Sequence, residues 1–286
     1  MPAGPSPAIP RIVHFVFGLA PQVQPFHLVH YLAVESCRQV LAPERILFHH
    51  RHLPYGTYWD LIRPHLTLVA ADEVPEVAAA DYREGLVPAA YVYAHHADFV
   101  RLDALIEHGG VYADIDTIFV RPIPADLYEA PFVIGEEDPV PDVRTGDLRA
   151  SLCNALLMST PGSTFAGIWR GRMGAALDGT WSNHSGFLAR SLADEMPEAV
   201  RVVPRDTFFP ASFSVEGIRS LLEEDGLDTS RSCSVHLWSH LWWSAQRRDF
   251  SRVHAGQLTA EHIRSVDTSY NRLARPFLPE LDLWLG

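Results

Sequence analysis

The run from Ala89 to Ile123 constrains the fold more than any other part of this chain. Ala89 to His108 is predicted to be a long helix, because Tyr93, Ala97, Val100, Leu105 and Ile106 recur at helical spacing. Gly109 and Gly110 supply its stop. V-Y-A-D-I-D-T-I-F-V-R-P-I then reads as a strand that carries Asp114 and Asp116. A helix feeding directly into a buried strand is a unit of α/β architecture. In such sheets ligands bind beyond the carboxyl ends of the strands. Residues two apart on a strand share a face, so the two carboxylates are expected to converge on one cation. Oxygen donors suit Mg²⁺ or Mn²⁺.

The flanking segments repeat the same alternation. R-I-V-H-F-V-F-G is a compact apolar run, read as a buried strand. Pro25 to Val40 has helical spacing at Leu28, Tyr31, Leu32, Cys37 and Val40. R-I-L-F-H-H and Leu66 to Ala70 read as further strands, and P-F-V-I-G as another before an acidic, Pro-rich loop from Glu136 to Arg144. A-L-L-M, a helix from Ser163 to Leu177, a Ser/Asn/Gly loop at 182–186, V-R-V-V-P and a polar helix from Ala260 to Asn271 follow. The expected fold class is α/β, a mostly parallel central sheet with flanking helices. Residues 1–10 read as a disordered or extended lead-in. No internal repeat or long linker divides 11–286, so one domain is expected.

Composition excludes several functions. The 286 residues carry a formal net charge of -12, and no block of basic residues offers a nucleic-acid surface. No apolar stretch approaches ~18 residues, so no membrane span is expected. Cys37, Cys153 and Cys233 are odd in number and widely spaced, which fits a reducing, cytoplasmic setting rather than a disulfide framework. His49, His50 and His52 follow a predicted strand and are expected on a solvated loop rather than as a metal cluster.

Asp98 and Arg101 stand three apart on the expected helix and therefore share a face. With the Gly-Gly pair between them and the aspartates, the block A-D-F-V-R-L-D-A-L-I-E-H-G-G-V-Y-A-D-I-D resembles glycosyltransferases with a D-x-D sugar-binding region. Family 32 glycosyltransferases and the large clostridial glucosyltransferase toxins share this block. I-P-R-I-V-H-F-V-F-G resembles the family's first strand, R-V-V-P-R-D-T-F-F-P a later element, and S-V-H-L-W its C-terminal histidine segment.

The resemblance implies a GT-A, Rossmann-like nucleotide-diphospho-sugar transferase fold, with a nucleotide-sugar half over 11–125 and an acceptor half over 126–286. It implies that Phe15, Val16 and Phe17 line the nucleotide pocket, with plain core as the other reading of both phenylalanines. Phe17 stands where the toxins have a Trp. Asp98 and Arg101 would bind donor-sugar hydroxyls, beside Tyr112. Asp114 would contact the sugar or ribose and the metal, and Asp116 would ligate the metal directly. His236 would complete the metal site, unless it merely packs among Trp238, Trp242 and Trp243; His240 is the substitute if the register differs. Asn154 would bind a sugar hydroxyl or the acceptor, or else cap a strand end. W-S-N-H-S-G-F departs from the family's Gly-Pro at that point.

The expected activity is Mn²⁺- or Mg²⁺-dependent transfer of a hexose to a hydroxyl of a small molecule or protein. A UDP-sugar is favoured over a GDP-sugar, and the resemblance implies retention. No carboxylate stands out as a covalent nucleophile. Front-face attack is therefore favoured, with the departing phosphate taking the acceptor's proton. A metal-dependent phosphohydrolase and a non-catalytic nucleotide-sugar-binding module are the alternatives.

Overall fold

The computed structural model describes residues 8–80, 92–243 and 252–280. The strands are β1 (Ile12–Val16), β2 (Arg45–His50), β3 (Thr67–Ala70), β4 (Gly110–Ala113), β5 (Thr117–Phe119), β6 (Phe132–Glu136), β7 (Val140–Pro141), β8 (Leu148–Arg149), β9 (Leu152–Ser159), β10 (Arg201–Val203) and β11 (Ser234–His236). Seven of them form one sheet in the order β10-β6-β9-β4-β1-β2-β3. β9 runs antiparallel to β4 and β6, and every other pairing in that sheet is parallel. The expected architecture, a mostly parallel sheet with flanking helices, is what the chain forms.

Strand alternation sends side chains into two apolar layers. Val13 and Phe15 of β1, Val111 and Ala113 of β4 and Val133 of β6 enter one layer, against the helix Leu28–Ser36 and the C-terminal helices. Val16, Tyr112, Phe132 and Ile134 enter the other, against the helices Val92–His108 and Thr164–Ala176. Burial on both faces explains why these strands read as continuous apolar runs. Each fully buried Leu, Ile or Phe contributes about 1.5–3 kcal/mol, so these layers rather than surface ion pairs hold the sheet.

Several expectations shift at their edges. The helix expected from Pro25 spans Leu28–Ser36 and widens into a π-turn at Cys37–Leu41. The polar helix expected over Ala260–Asn271 is two, Ala260–Ser265 and Ser269–Ala274. The start of the helix expected from Ala89 lies outside the described residues, and the helix runs Val92–His108. Ile9, grouped with the lead-in, is buried, and its N–H donates to the Tyr128 carbonyl. Among the described residues no helix is long and apolar enough to cross a membrane, and all three cysteines are free and buried.

The largest correction concerns the aspartates. The strand expected from Val111 to Ile123 is broken. β4 ends at Ala113, β5 starts at Thr117, and Asp114–Asp116 lie in a tight turn closed by Thr117 N–H to Asp114 carbonyl at 3.0 Å. The carboxylates converge because the chain turns, not because they alternate on one strand.

Candidate active site

Gly109 and Gly110 set the position of this turn. Gly109 has φ +64° and caps the helix, its N–H donating to the Leu105 carbonyl at 2.8 Å. At Gly110, with φ +102°, a Cβ would lie 2.6 Å from the Ile12 carbonyl oxygen. Only glycine lets β4 leave the helix this close to β1. The Asp114 N–H then donates to the Ala155 carbonyl of β9 at 2.8 Å, fixing the turn at the end of the sheet.

β5 pairs antiparallel with β11, setting His236 opposite Thr117. Asp114, Asp116 and His236 each offer one ligand atom, all within 4.8 Å of one another. His236 Nε2 lies 3.0 Å from Asp116 Oδ1 and 3.6 Å from Asp114 Oδ2. The Ser239 N–H donates to Asp116 Oδ2 at 2.8 Å. Trp238 holds the bend between these contacts at φ +53°, a strained conformation for a large side chain. Its indole N–H donates to the Ala211 carbonyl at 3.0 Å, and its ring packs edge-on against His236 at 4.4 Å. His236 therefore faces the aspartates as well as the tryptophans. His240 stacks on Trp181 instead, and is not in the cluster.

Arg101 organises the other half of the site. Its guanidinium lies 3.0 Å from Asp98 Oδ1 and 3.4 Å from Asp114 Oδ1, and donates to the Asn154 carbonyl at 2.5 Å. It rests over the Tyr112 ring at 4.5 Å, while the Tyr112 hydroxyl donates to Asp114 Oδ1 at 2.5 Å. Asn154 Nδ2 donates to Asp98 Oδ1 at 2.8 Å, so Asn154 is held by a side chain rather than by backbone alone. His184 Nε2 pairs with Asp98 Oδ2 at 2.8 Å.

The buried charges resolve by their partners. Burial opposes ionisation of Asp116, but His236 and the Ser239 N–H outweigh it and hold the carboxyl well below the usual range. Burial dominates at Asp114 and raises it, despite Arg101 and His236. At Asp98, Arg101 and His184 overcome burial and lower it. Burial alone would depress His236; Asp116 and Asp114 raise it instead. The turn thus carries one firmly ionised carboxylate beside one that would readily gain from a further cation.

These groups line a cleft of about 870 Å³. Val16 and Phe17, at and just past the end of β1, line it; Phe15, further inside the strand, is fully buried in the core and does not. Phe17 packs against His30 at 4.8 Å, and His30 stacks on Trp243 at 5.0 Å with the rings 12° apart, making an aromatic wall. His49 is not on a solvated loop and does not line the cleft. It is a buried β2 residue bonded to His14 at 3.0 Å, and His50 ends the same strand, while His52 is exposed.

Sequence reasoning missed two groups. His184 was hidden in the Ser/Asn/Gly loop expected at 182–186, where Asn183–Phe187 form a π-turn instead. A lone histidine there carries no signal, since its partner Asp98 is 86 residues away. Glu137 was read as part of an acidic loop, yet it lines the cleft. Its position one residue past an apolar strand was the available cue.

An acidic turn, an arginine clamp and an aromatic wall at the end of a mostly parallel sheet match the sequence block that suggested a sugar-nucleotide enzyme. Residues 66–138 match the family model described as the glycosyltransferase sugar-binding region containing a DXD motif. The chain belongs to this glycosyltransferase family. Over 284 residues it is 34% identical to Glucan organizing enzyme 1 of Cryptococcus neoformans var. grubii, covering 96% of this chain and 72% of the relative. Similar solved structures include the galactosyltransferase LgtC with donor and acceptor sugar analogues (14% identity, 94% of this chain and 98% of that one, TM-score 0.48). The glycosyltransferase GlyE of Streptococcus pneumoniae is another (9% identity, 94% of this chain and 60% of that one, TM-score 0.48).

Proposed function

We propose that this glycosyltransferase moves a hexose from a UDP-sugar to a hydroxyl acceptor, with retention, and that it depends on a divalent cation. The observation that carries the reading is the convergence of Asp114, Asp116 and His236 within 4.8 Å at the cleft. Two carboxylates and an imidazole are a donor set that fits Mn²⁺ or Mg²⁺. A divalent cation held there by these three residues would neutralise charge growing on a diphosphate leaving group.

The rest of the work falls to the chain itself. Arg101, Asp98 and Asn154 are locked to one another, so groups that meet the donor sugar need no reorganisation when it arrives. Asp98 Oδ2, shared with His184, and Arg101 would grip the sugar hydroxyls. Phe17, with His30 and Trp243 behind it, offers the apolar face a nucleobase needs. The name of the fungal relative points to glucan, so UDP-glucose is the first donor to test.

Calorimetric titration of UDP- and GDP-sugars, with and without Mn²⁺, tests this reading on wild type and Asp116→Ala. Metal-dependent binding of one donor that disappears in the variant is expected. Wild-type protein that binds no nucleotide sugar but releases phosphate from simple esters would replace this reading with a phosphohydrolase. Donor binding without turnover on any acceptor would make it a binding module.

A further inference from the structure

Glu137 stands one residue beyond β6 and lines the same cleft as the aspartates. Ser151 Oγ donates to its Oε1 at 2.5 Å. The π-turn Asn183–Phe187 closes over this pair. A Cβ on Gly186 would fall 2.1 Å from Ser151 Oγ and 3.1 Å from Glu137 Oε1, so a side chain there would push the turn away. The same turn supplies His184 to Asp98. Consecutive residues of β9 tie the carboxyl to the rest of the site: the Cys153 thiol bonds Glu137, Asn154 bonds Asp98, and the Ala155 carbonyl bonds the Asp114 N–H.

Among the described residues, the buried and half-buried carboxyls around the cleft each have a cation, with one exception. Asp98 and Asp114 have Arg101, and Asp116 has His236. Among the described residues Glu137 has no salt bridge, only hydroxyl and thiol donors. A carboxyl that is built in, open to the cleft and left without a counter-charge has no stabilising purpose that an amide would not serve better.

We propose that Glu137 is the group that meets the acceptor. Its carboxylate accepts a hydrogen bond from the attacking hydroxyl and takes that proton as transfer occurs. In this step the anomeric C–O bond to the diphosphate breaks, and its electron pair leaves with the diphosphate. The acceptor oxygen forms the new C–O bond, and the proton rests on Glu137 until it is lost to solvent. Glu137, rather than the departing phosphate, is then the proton's destination. Ser151 is a positioning residue that fixes Oε1. The proposal rests on the glycosyltransferase reading of the site.

The electrostatics agree. Burial pushes Glu137 up to about 7; the Ser151 and Cys153 hydrogen bonds and His236 oppose that rise, and Asp138 adds to it. A base near the working pH takes and returns protons most effectively.

The test uses Mn²⁺ and UDP-glucose, or whichever nucleotide sugar the wild type binds. Release of nucleoside diphosphate is followed with water, and with added glucose, as the hydroxyl acceptor. Glu137→Gln should lower turnover about 100- to 10,000-fold while donor Kd, read by calorimetry, stays within about twofold. The calorimetry also shows that the variant is folded. The acidic limb of the wild-type pH–rate profile should vanish in Glu137→Gln, and Glu137→Asp should restore part of the rate. Ser151→Ala should lower kcat less and move that limb. Donor bound normally with wild-type turnover in Glu137→Gln overturns this proposal alone. A wild type that binds no nucleotide sugar overturns the glycosyltransferase reading, and this proposal with it.

Discussion

His236 and the His14–His49 pair are equally buried, yet their company drives them in opposite directions. His236 faces two carboxylates, which raise it against the pull of burial. His14 and His49 face each other at 3.0 Å, with the His108 ring stacked 5.9 Å from that of His14. Burial and the neighbouring histidines push His14 down to about 4 and His49 to about 3. Two neutral rings satisfy both hydrogen bonds. His14 Nε2–H donates to the Gly109 carbonyl, which leaves Nδ1 as the acceptor for His49 Nε2–H. A proton added to His14 would set two donors against each other until His49 moved its own N–H to Nδ1. Burial alone thus makes a histidine a neutral packing group. Carboxylate neighbours make it a charge carrier, and a metal ligand once that proton is released.

Removing the cation at the centre of the charged cluster should have the largest effect on stability. Arg101→Met keeps the volume but leaves buried Asp98 and half-buried Asp114 without their common partner. Breaking a buried pair in this way costs about 3–5 kcal/mol, which urea unfolding at neutral pH should register. A loss below about 1 kcal/mol would mean that the carboxyls simply protonate, and that the cluster is not held by charge.

The neutral pair should respond to pH with a smaller and opposite signature. A histidine whose folded pKa lies below 6.5 contributes most above 6.5, because the unfolded chain binds the proton first as pH falls. For His14, falling from pH 7 to pH 5 should cost roughly 2 kcal/mol, with the loss ending near its folded value of about 4. His30 and His95, also pushed down to about 4 chiefly by burial, steepen the same slope. His49→Gln can still donate to His14 and should flatten it. If the urea midpoint is as high at pH 5 as at pH 7, the neutral description of the stack is wrong.

What the sequence could and could not reveal follows the range of the interactions. The helix Val92–His108, its glycine stop and the apolar strands were legible because periodicity and end signals are local. The block containing Asp98, Arg101, Asp114 and Asp116 was legible for the same reason, since all four lie within one helix–strand unit. Facing directions were harder. A break of three residues after Ala113 moved the aspartates off a strand and into a turn. Phe15 and Phe17 point to the same side, but β1 ends at Val16, so Phe15 is buried within the sheet while Phe17, just past its end, reaches the cleft. Long-range partners were invisible to pattern reading. His14 meets His49 across a parallel pairing, and His184 reaches Asp98 only through the fold of a turn whose residues resemble an ordinary loop. That His236 lies beside Asp116, 120 residues away, could be anticipated only because S-V-H-L-W carried a resemblance that spacing could not.

The subtlest difference between the two clusters lies in Tyr112, whose hydroxyl gives the charged site a neutral donor. Tyr112 is almost fully buried, so its hydroxyl bond to Asp114 competes with little water. Burial raises Asp114, and this bond works against the rise. Tyr112→Phe keeps the ring under Arg101 and deletes only the hydroxyl. The cost to folding should stay near 1 kcal/mol, the net worth of one hydrogen bond. Asp114 would then hold a proton more readily, and a cation must displace that proton to bind. Mn²⁺-dependent donor affinity should fall by about tenfold at most, the equivalent of ~1.4 kcal/mol. The deficit should shrink as pH rises, because Asp114 ionises anyway at higher pH. Calorimetry at two pH values separates this from direct contact with the sugar. A deficit that does not change with pH would place the Tyr112 hydroxyl on the donor itself, while no deficit at all would show that Arg101 and His236 suffice to keep Asp114 ready for a cation.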